Sequence, residues 1–145
     1  MEASPPFSDS ESTLRRLRKA GMKLAVVSDS DGTPGMKRKR IRRLPFHKLF
    51  DTVIVAGEDT PMVKPSKAPF LLVAKRLRVP PAHCAYVGDN PTTDIEGAKA
   101  AGMLTILVKR RKYMVLGGLR ASRPNHLVAS LREIPRVLEK IEIDQ

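Results

Sequence analysis

Apolar residues recur along this chain with two alternating periods. Short runs of strand length lie at Leu24–Ser28, Thr52–Ala56, Cys84–Val87 and Thr105–Lys109. Each is aliphatic and bounded by glycine, proline or charged positions, the pattern of buried strands. Between them apolar residues repeat at helical spacing. Leu14, Leu17 and Ala20 mark a helix over Thr13–Ala20 with Gly21 as its stop. Phe70, Leu71, Val73, Ala74 and Leu77 mark another over Ser66–Arg78, which Ser66 can cap. Helical patterns over Asp94–Ala101 and Leu131–Ile141 complete the set, the latter after a short apolar run, His126–Ala129. The basic stretch Lys37–Arg43 and a loop around Gly117-Gly118 fall between periodic segments. Strands alternating with helices predict an α/β fold, a mostly parallel Rossmann-type sheet flanked by helices. A flexible segment, 1–12, is expected to lead into one domain over 13–145, with no insertion long enough for a large capping domain.

The chemistry concentrates where the Cys84–Val87 run ends. Gly88 is followed by Asp89, and Asp94 comes five residues later, where a helical pattern begins. Open α/β sheets bind ligands beyond the carboxyl ends of their strands. Two hard carboxylates on that rim suit Mg²⁺, which takes one or two protein carboxylates and fills its shell with water and phosphate oxygens. An acidic turn with Asp94 near a helix N-terminus accounts for the same residues without a metal. Upstream, Val63-Lys64-Pro65-Ser66 keeps Lys64 at a loop end, because the residue before a proline avoids the α region. Its ammonium can meet a phosphate there as a point charge, or be an ordinary solvated lysine. The Leu24–Ser28 strand ends in a hydroxyl.

In order and spacing, these segments resemble the haloacid dehalogenase (HAD) superfamily of phosphatases and related hydrolases, over about Ser12 to Ile141. The resemblance rests on the strand-end serine of Val26-Val27-Ser28, on Lys64-Pro65, and on Gly-Asp-x-x-x-x-Asp from Gly88 to Asp94. Leu49 to Asp59, Arg76 to Pro81 and Ala98 to Met103 are similar to that family as well. The resemblance implies Mg²⁺-dependent phosphoryl transfer through an aspartyl-phosphate, with a second Asp as acid and base. It assigns Ser28 and Lys64 to the transferring phosphoryl group and Asp89, with Asp94, to Mg²⁺. Such chemistry is mostly positioning and neutralisation of charge on the equatorial oxygens.

One part of the family pattern is not found. The nucleophile strand should precede the helix that leads into the serine strand, yet Met1 to Ser12 is polar and proline-containing, with no apolar run. Asp29-Ser30-Asp31-Gly32-Thr33 spells the family's nucleophile pattern, with Asp29 attacking and Asp31 as acid and base. That alternative makes Thr52–Gly57 the serine strand, which ends without a hydroxyl, and leaves the Leu14–Ala20 helix without a role. Without the central strand, two sheet edges would have to pair with each other, recruit another segment, or join a second chain. Little or no phosphatase turnover is then expected.

Composition adds a constraint and a second question. The 145 residues are 41% hydrophobic but only 4% aromatic, so one aliphatic core is expected. The single cysteine, Cys84, lies in an expected strand and reads as a buried thiol. No apolar run approaches transmembrane length and no signal-peptide pattern is seen, so a cytoplasmic protein is expected. His47, His83 and His126 lack metal-ligand spacing. The net charge is +12, densest at Lys37–Arg43 and Lys109–Lys112. These runs suit a phosphate-backbone surface, an anion-attracting rim, or a solvated basic face. No aromatic residues interleave them for base stacking, which counts against nucleic acid. Three readings result: a hydrolase of small phosphorylated substrates, a non-catalytic relative keeping the phosphate and metal half-site, and a nucleic-acid-associated protein on the same fold.

Overall fold

The computed structural model describes residues 4–109 and 123–144. Helix α1 spans Ser4–Lys19, so residues 4–12, expected as a flexible lead-in, continue the first helix. Pro5 and Pro6 fall in its first turn, where a missing N–H leaves no intrahelical bond unmade. Strand β1 (Ala25–Asp29) pairs in parallel with β2 (Thr52–Ala56), Val27 opposite Ile54 and Asp29 opposite Ala56. Strands β3 (Ala85–Gly88), β4 (Leu104–Val108) and β5 (His126–Val128) form a second ladder in that order, also parallel. The fold is therefore α/β with parallel sheets flanked by helices, as the βα alternation predicts.

Among the described residues, however, the sheet comes as two ladders. No backbone pairing joins β1 to β3. A side chain reaches between them instead: the Tyr86 hydroxyl, from β3, donates to the Val27 carbonyl of β1 at 3.2 Å.

The basic stretch expected between strands is a short amphipathic helix, α2 (Met36–Arg42), whose Ile41 is buried. Helix α3 occupies Ala68–Leu77, starting two residues later than its pattern suggests; the Ser66 hydroxyl still serves its first turn, accepting from the Ala68 N–H at 3.2 Å. After β3 the chain makes a π-helical turn, Pro91–Glu96, that runs into α4 (Gly97–Ala100). Asn90 caps it, its side chain accepting from the Thr92 and Thr93 N–H groups. Asp94 consequently sits inside the first turns rather than at the start. The last helix, α5 (Ile134–Asp144), follows a 3-10 turn at Leu131–Glu133. The Gly117-Gly118 loop and Arg110 to Lys112 lie outside the described residues.

Two apolar clusters hold the layers. Val27, Ile54, Phe70, Val73, Ala74, Ala98, Ala101 and Met103 pack on the face covered by α3 and α4. Ile106, Val108, Val128 and Ile134, with Leu17, Val87 and Leu138, pack on the face covered by α1 and α5. Strand β3 feeds both, Tyr86 to the first and Val87 to the second, as the two-residue alternation of a strand dictates. Phe70 is fully buried and meets Tyr86 edge-on, with ring centroids 4.8 Å apart. Gly97 permits this packing, since a Cβ there would lie 2.3 Å from the Phe70 ring and 2.7 Å from the Pro65 carbonyl.

Candidate active site

The carboxyl ends of β1 and β3 meet the Lys64 loop on one rim. The loop is pinned from β1: the Lys64 N–H donates to Asp29 Oδ1 at 3.1 Å. Its side chain then reaches the other ladder, where Nζ lies 2.6 Å from Asp94 Oδ1. The other Asp94 oxygen accepts from the backbone N–H groups of Asp89 (3.2 Å) and Asn90 (3.1 Å). The buried carboxylate is thus met by a cation on one side and two peptide dipoles on the other, as charge in a dry environment requires. Gly88 makes the turn fit, because a Cβ there would lie 2.5 Å from Asp94 carboxyl atoms.

Tyr86 supports this arrangement from beneath. Its hydroxyl is 3.2 Å from the Val27 carbonyl and 3.4 Å from Asp94 Oδ1, so one proton is offered to two acceptors. Burial pushes its ionisation well above the ordinary phenol range, and the Asp94 charge adds to the effect. The group therefore works as a neutral donor. Sequence reasoning did not single it out. The one available signal was an aromatic hydroxyl inside a strand expected to be buried, which must find a partner.

Of the residues singled out from sequence, Lys64 and Asp94 are in direct contact, and Asp89 joins them through its backbone N–H. Ser28 is half-buried at the carboxyl end of β1, and its hydroxyl makes no hydrogen bond to Lys64, Asp89 or Asp94. The alternative pair is pulled apart in its contacts. Asp29 serves the Lys64 loop, whereas Asp31 accepts from the Thr33 N–H at 3.2 Å and pairs with Arg40 at 3.1 Å.

Nearby, Glu58 braces the segment after β1. It accepts from Ser30 Oγ at 3.3 Å and from the Gly35 N–H at 3.2 Å. Arg38 of α2 is tied to Asp59 and to the Val53 carbonyl. Arg38 and Arg40 of the basic run thus each meet a carboxylate of this chain, Arg40 from an exposed position. Of the other expectations, Cys84 is partly buried, and burial raises its thiol pKa, in keeping with an unreactive group. Among the described residues no three His, Cys, Asp or Glu side chains converge on a point that could hold a metal. No helix of the described residues is long and apolar enough to cross a membrane.

Comparison with known proteins agrees with this geometry. The family model described as haloacid dehalogenase-like hydrolase matches residues 1–102. The glyceraldehyde 3-phosphate phosphatase of Methanopyrus kandleri is 32% identical over 139 residues, an alignment covering 90% of this chain and 58% of that protein. The human N-acylneuraminate-9-phosphatase is 30% identical over 135 residues, covering 92% and 52%. The crystal structure of a HAD phosphatase from Thermococcus onnurineus superposes with a TM-score of 0.76 at 29% identity, over 90% of this chain and 56% of that one. The chain thus spans little more than half the length of the relatives it matches. It belongs to the haloacid dehalogenase-like hydrolase family.

Proposed function

We propose that this chain carries the phosphate- and Mg²⁺-binding half-site of a phosphatase acting on small phosphomonoesters in the cytoplasm. The observation that carries this reading is the buried Lys64–Asp94 pair at the rim where β1 and β3 end. In this reading the Lys64 ammonium and the Ser28 hydroxyl bind the phosphoryl oxygens. Asp89, with Asp94, holds Mg²⁺, which when bound neutralises charge on those oxygens. The donor set fits that ion in kind, two hard carboxylates on one turn. It fits in number only at the lower limit, and Asp94 already satisfies Lys64 and two peptide groups. Mg²⁺ binding is therefore weak and rests mainly on Asp89. Relatives named for glyceraldehyde 3-phosphate and as an N-acylneuraminate-9-phosphatase support a small phosphorylated substrate.

The separation of the two ladders favours a second element of the proposal. Attack on phosphorus needs a carboxylate aimed between β1 and β3, with a second acid beside it. Asp29 and Asp31 have diverging partners, which argues against them as that pair. The 145-residue chain by itself accordingly has little or no phosphatase turnover, behaving as a phosphate- and metal-binding relative. Its β1 and β3 edges accept one further strand, from a second copy or another chain. The lack of aromatic residues within the basic runs supports leaving nucleic acid out of this reading.

Hydrolysis of p-nitrophenyl phosphate with Mg²⁺, by the wild-type chain and by Asp29→Asn, tests this. We expect negligible turnover from both. Robust turnover abolished by Asp29→Asn would instead make Asp29 the nucleophile.

A further inference from the structure

The rim is not the only place where cations converge. On the opposite face of the sheet, α1 and α5 enclose a cleft of about 350 Å³ lined by Arg16, Arg132, Glu133, Arg136, Val137 and Lys140. Arg132, Arg136 and Lys140 recur every four residues, so they form one stripe along the 3-10 turn and α5, and Arg16 faces them from α1. Like charges at this spacing repel and weaken a helix. The lone carboxylate of the lining makes no ion pair with Arg16, Arg136 or Lys140. Glu133 Oε2 is turned back into its own turn, accepting from the Ala129 and Ser130 N–H groups at 2.7 and 2.9 Å.

Four arginines elsewhere on the molecule are paired. On α1, Arg15 pairs with Glu11 and Arg18 with Asp51; on α2, Arg38 pairs with Asp59 and Arg40 with Asp31. The fold supplies a carboxylate to each of these. Among the described residues it supplies none to Arg16, Arg136 or Lys140, three of the four cations that line the cleft. Val137 provides an apolar wall, continuous with the cluster that docks α1 on α5.

We infer that this cleft is a second anion site, separate from Lys64 and Asp94, for a small molecule bearing two or more phosphate groups. Guanidinium forks match phosphate oxygens bidentately, and several converging cations favour a multivalent over a monovalent anion. The cleft is about half open to solvent and has room for a small polyanion. No lining residue is aromatic, so nothing there would stack the bases of a nucleic acid strand.

The test is calorimetric titration of the full chain with pyrophosphate and ATP, alongside inorganic phosphate and a single-stranded oligonucleotide. Wild type, Arg16→Gln, Arg136→Gln and Lys64→Ala are compared, with circular dichroism confirming that each folds. We expect pyrophosphate and ATP to bind at least tenfold more tightly than phosphate. Each arginine variant should weaken them about tenfold, whereas Lys64→Ala should remove only the weaker phosphate binding at the rim. Equal affinity in the arginine variants and wild type, or loss on Lys64→Ala alone, would assign the anion to the rim and overturn the inference. So would an absence of pyrophosphate and ATP binding, or oligonucleotide binding through Arg16 and Arg136 that exceeds both.

Discussion

Lys64 Nζ and Asp94 Oδ1 are 2.6 Å apart, with side chains only 13% and 7% exposed. Two charges this far from water hold each other in place, and neither can be removed without leaving its partner uncompensated. The pair also joins the two halves of the molecule. Lys64 is anchored through its backbone to Asp29 of β1, and Asp94 belongs to the turn that follows β3.

Asp94→Asn should therefore destabilise the chain by about 3–5 kcal/mol, the usual cost of breaking a buried pair. Lys64→Met should cost less, because Asp94 keeps its two peptide donors. Urea unfolding of both variants gives the comparison. A loss below about 1 kcal/mol for Asp94→Asn would place the pair among weak surface bridges.

Tyr86→Phe removes the hydroxyl that reaches from β3 to the Val27 carbonyl. A lost hydrogen bond of this kind costs about 1 kcal/mol, more where an acceptor is left unsatisfied. Faster amide exchange is expected in β1 than in β4, since the bridge serves β1 directly. Uniform exchange changes across both strands would contradict the bridging role.

Gly97→Ala should cost about 1–3 kcal/mol through overpacking. The added methyl would meet the Phe70 ring at 2.3 Å, and the Pro65 carbonyl behind it blocks escape. Thermal unfolding reads the effect, and combining it with Phe70→Leu should recover part of the loss.

Two carboxylates shape the acid limb of stability. The Arg18 guanidinium beside Asp51, with the Leu24 N–H, holds its carboxyl below the ordinary 3.8. Burial alone would raise Asp59, but the Val55 N–H and Arg38 outweigh it and hold it below 3.8 as well. A folded value below the unfolded one means that the unfolded chain binds the proton more readily. The stabilisation is complete at neutral pH and is lost as pH falls through and below about 4. Acid unfolding of Asp51→Asn should show a shallower loss over that range than wild type.

Much of this was legible in local pattern. The strand ends that carry Ser28 and Asp89, and the loop that carries Lys64, are set by runs of apolar residues stopped by Gly88 or by Pro65, and such signals are local. What escaped is tertiary. The partner of Tyr86 lies 59 residues away in the chain, and strand periodicity says nothing about where a hydroxyl ends. In the Lys37–Arg43 stretch, Lys39, Arg40, Arg42 and Arg43 are exposed as a solvated basic face would be. The carboxylates that meet Arg38 and Arg40, Asp59 and Asp31, come from loops on either side and were not legible. Residues 4–12 lack the apolar period that announces a helix, yet they extend one already nucleated at Leu14 and Leu17.

The central claim is that the rim binds phosphate and Mg²⁺ through Asp89 and Lys64. Its most direct test is calorimetric titration of Mg²⁺ into the chain, with and without inorganic phosphate, for wild type and Asp89→Asn. The wild-type chain should bind Mg²⁺ weakly and more tightly with phosphate, and Asp89→Asn should lose both effects. Equal Mg²⁺ binding by the two proteins would contradict it and place the ion elsewhere.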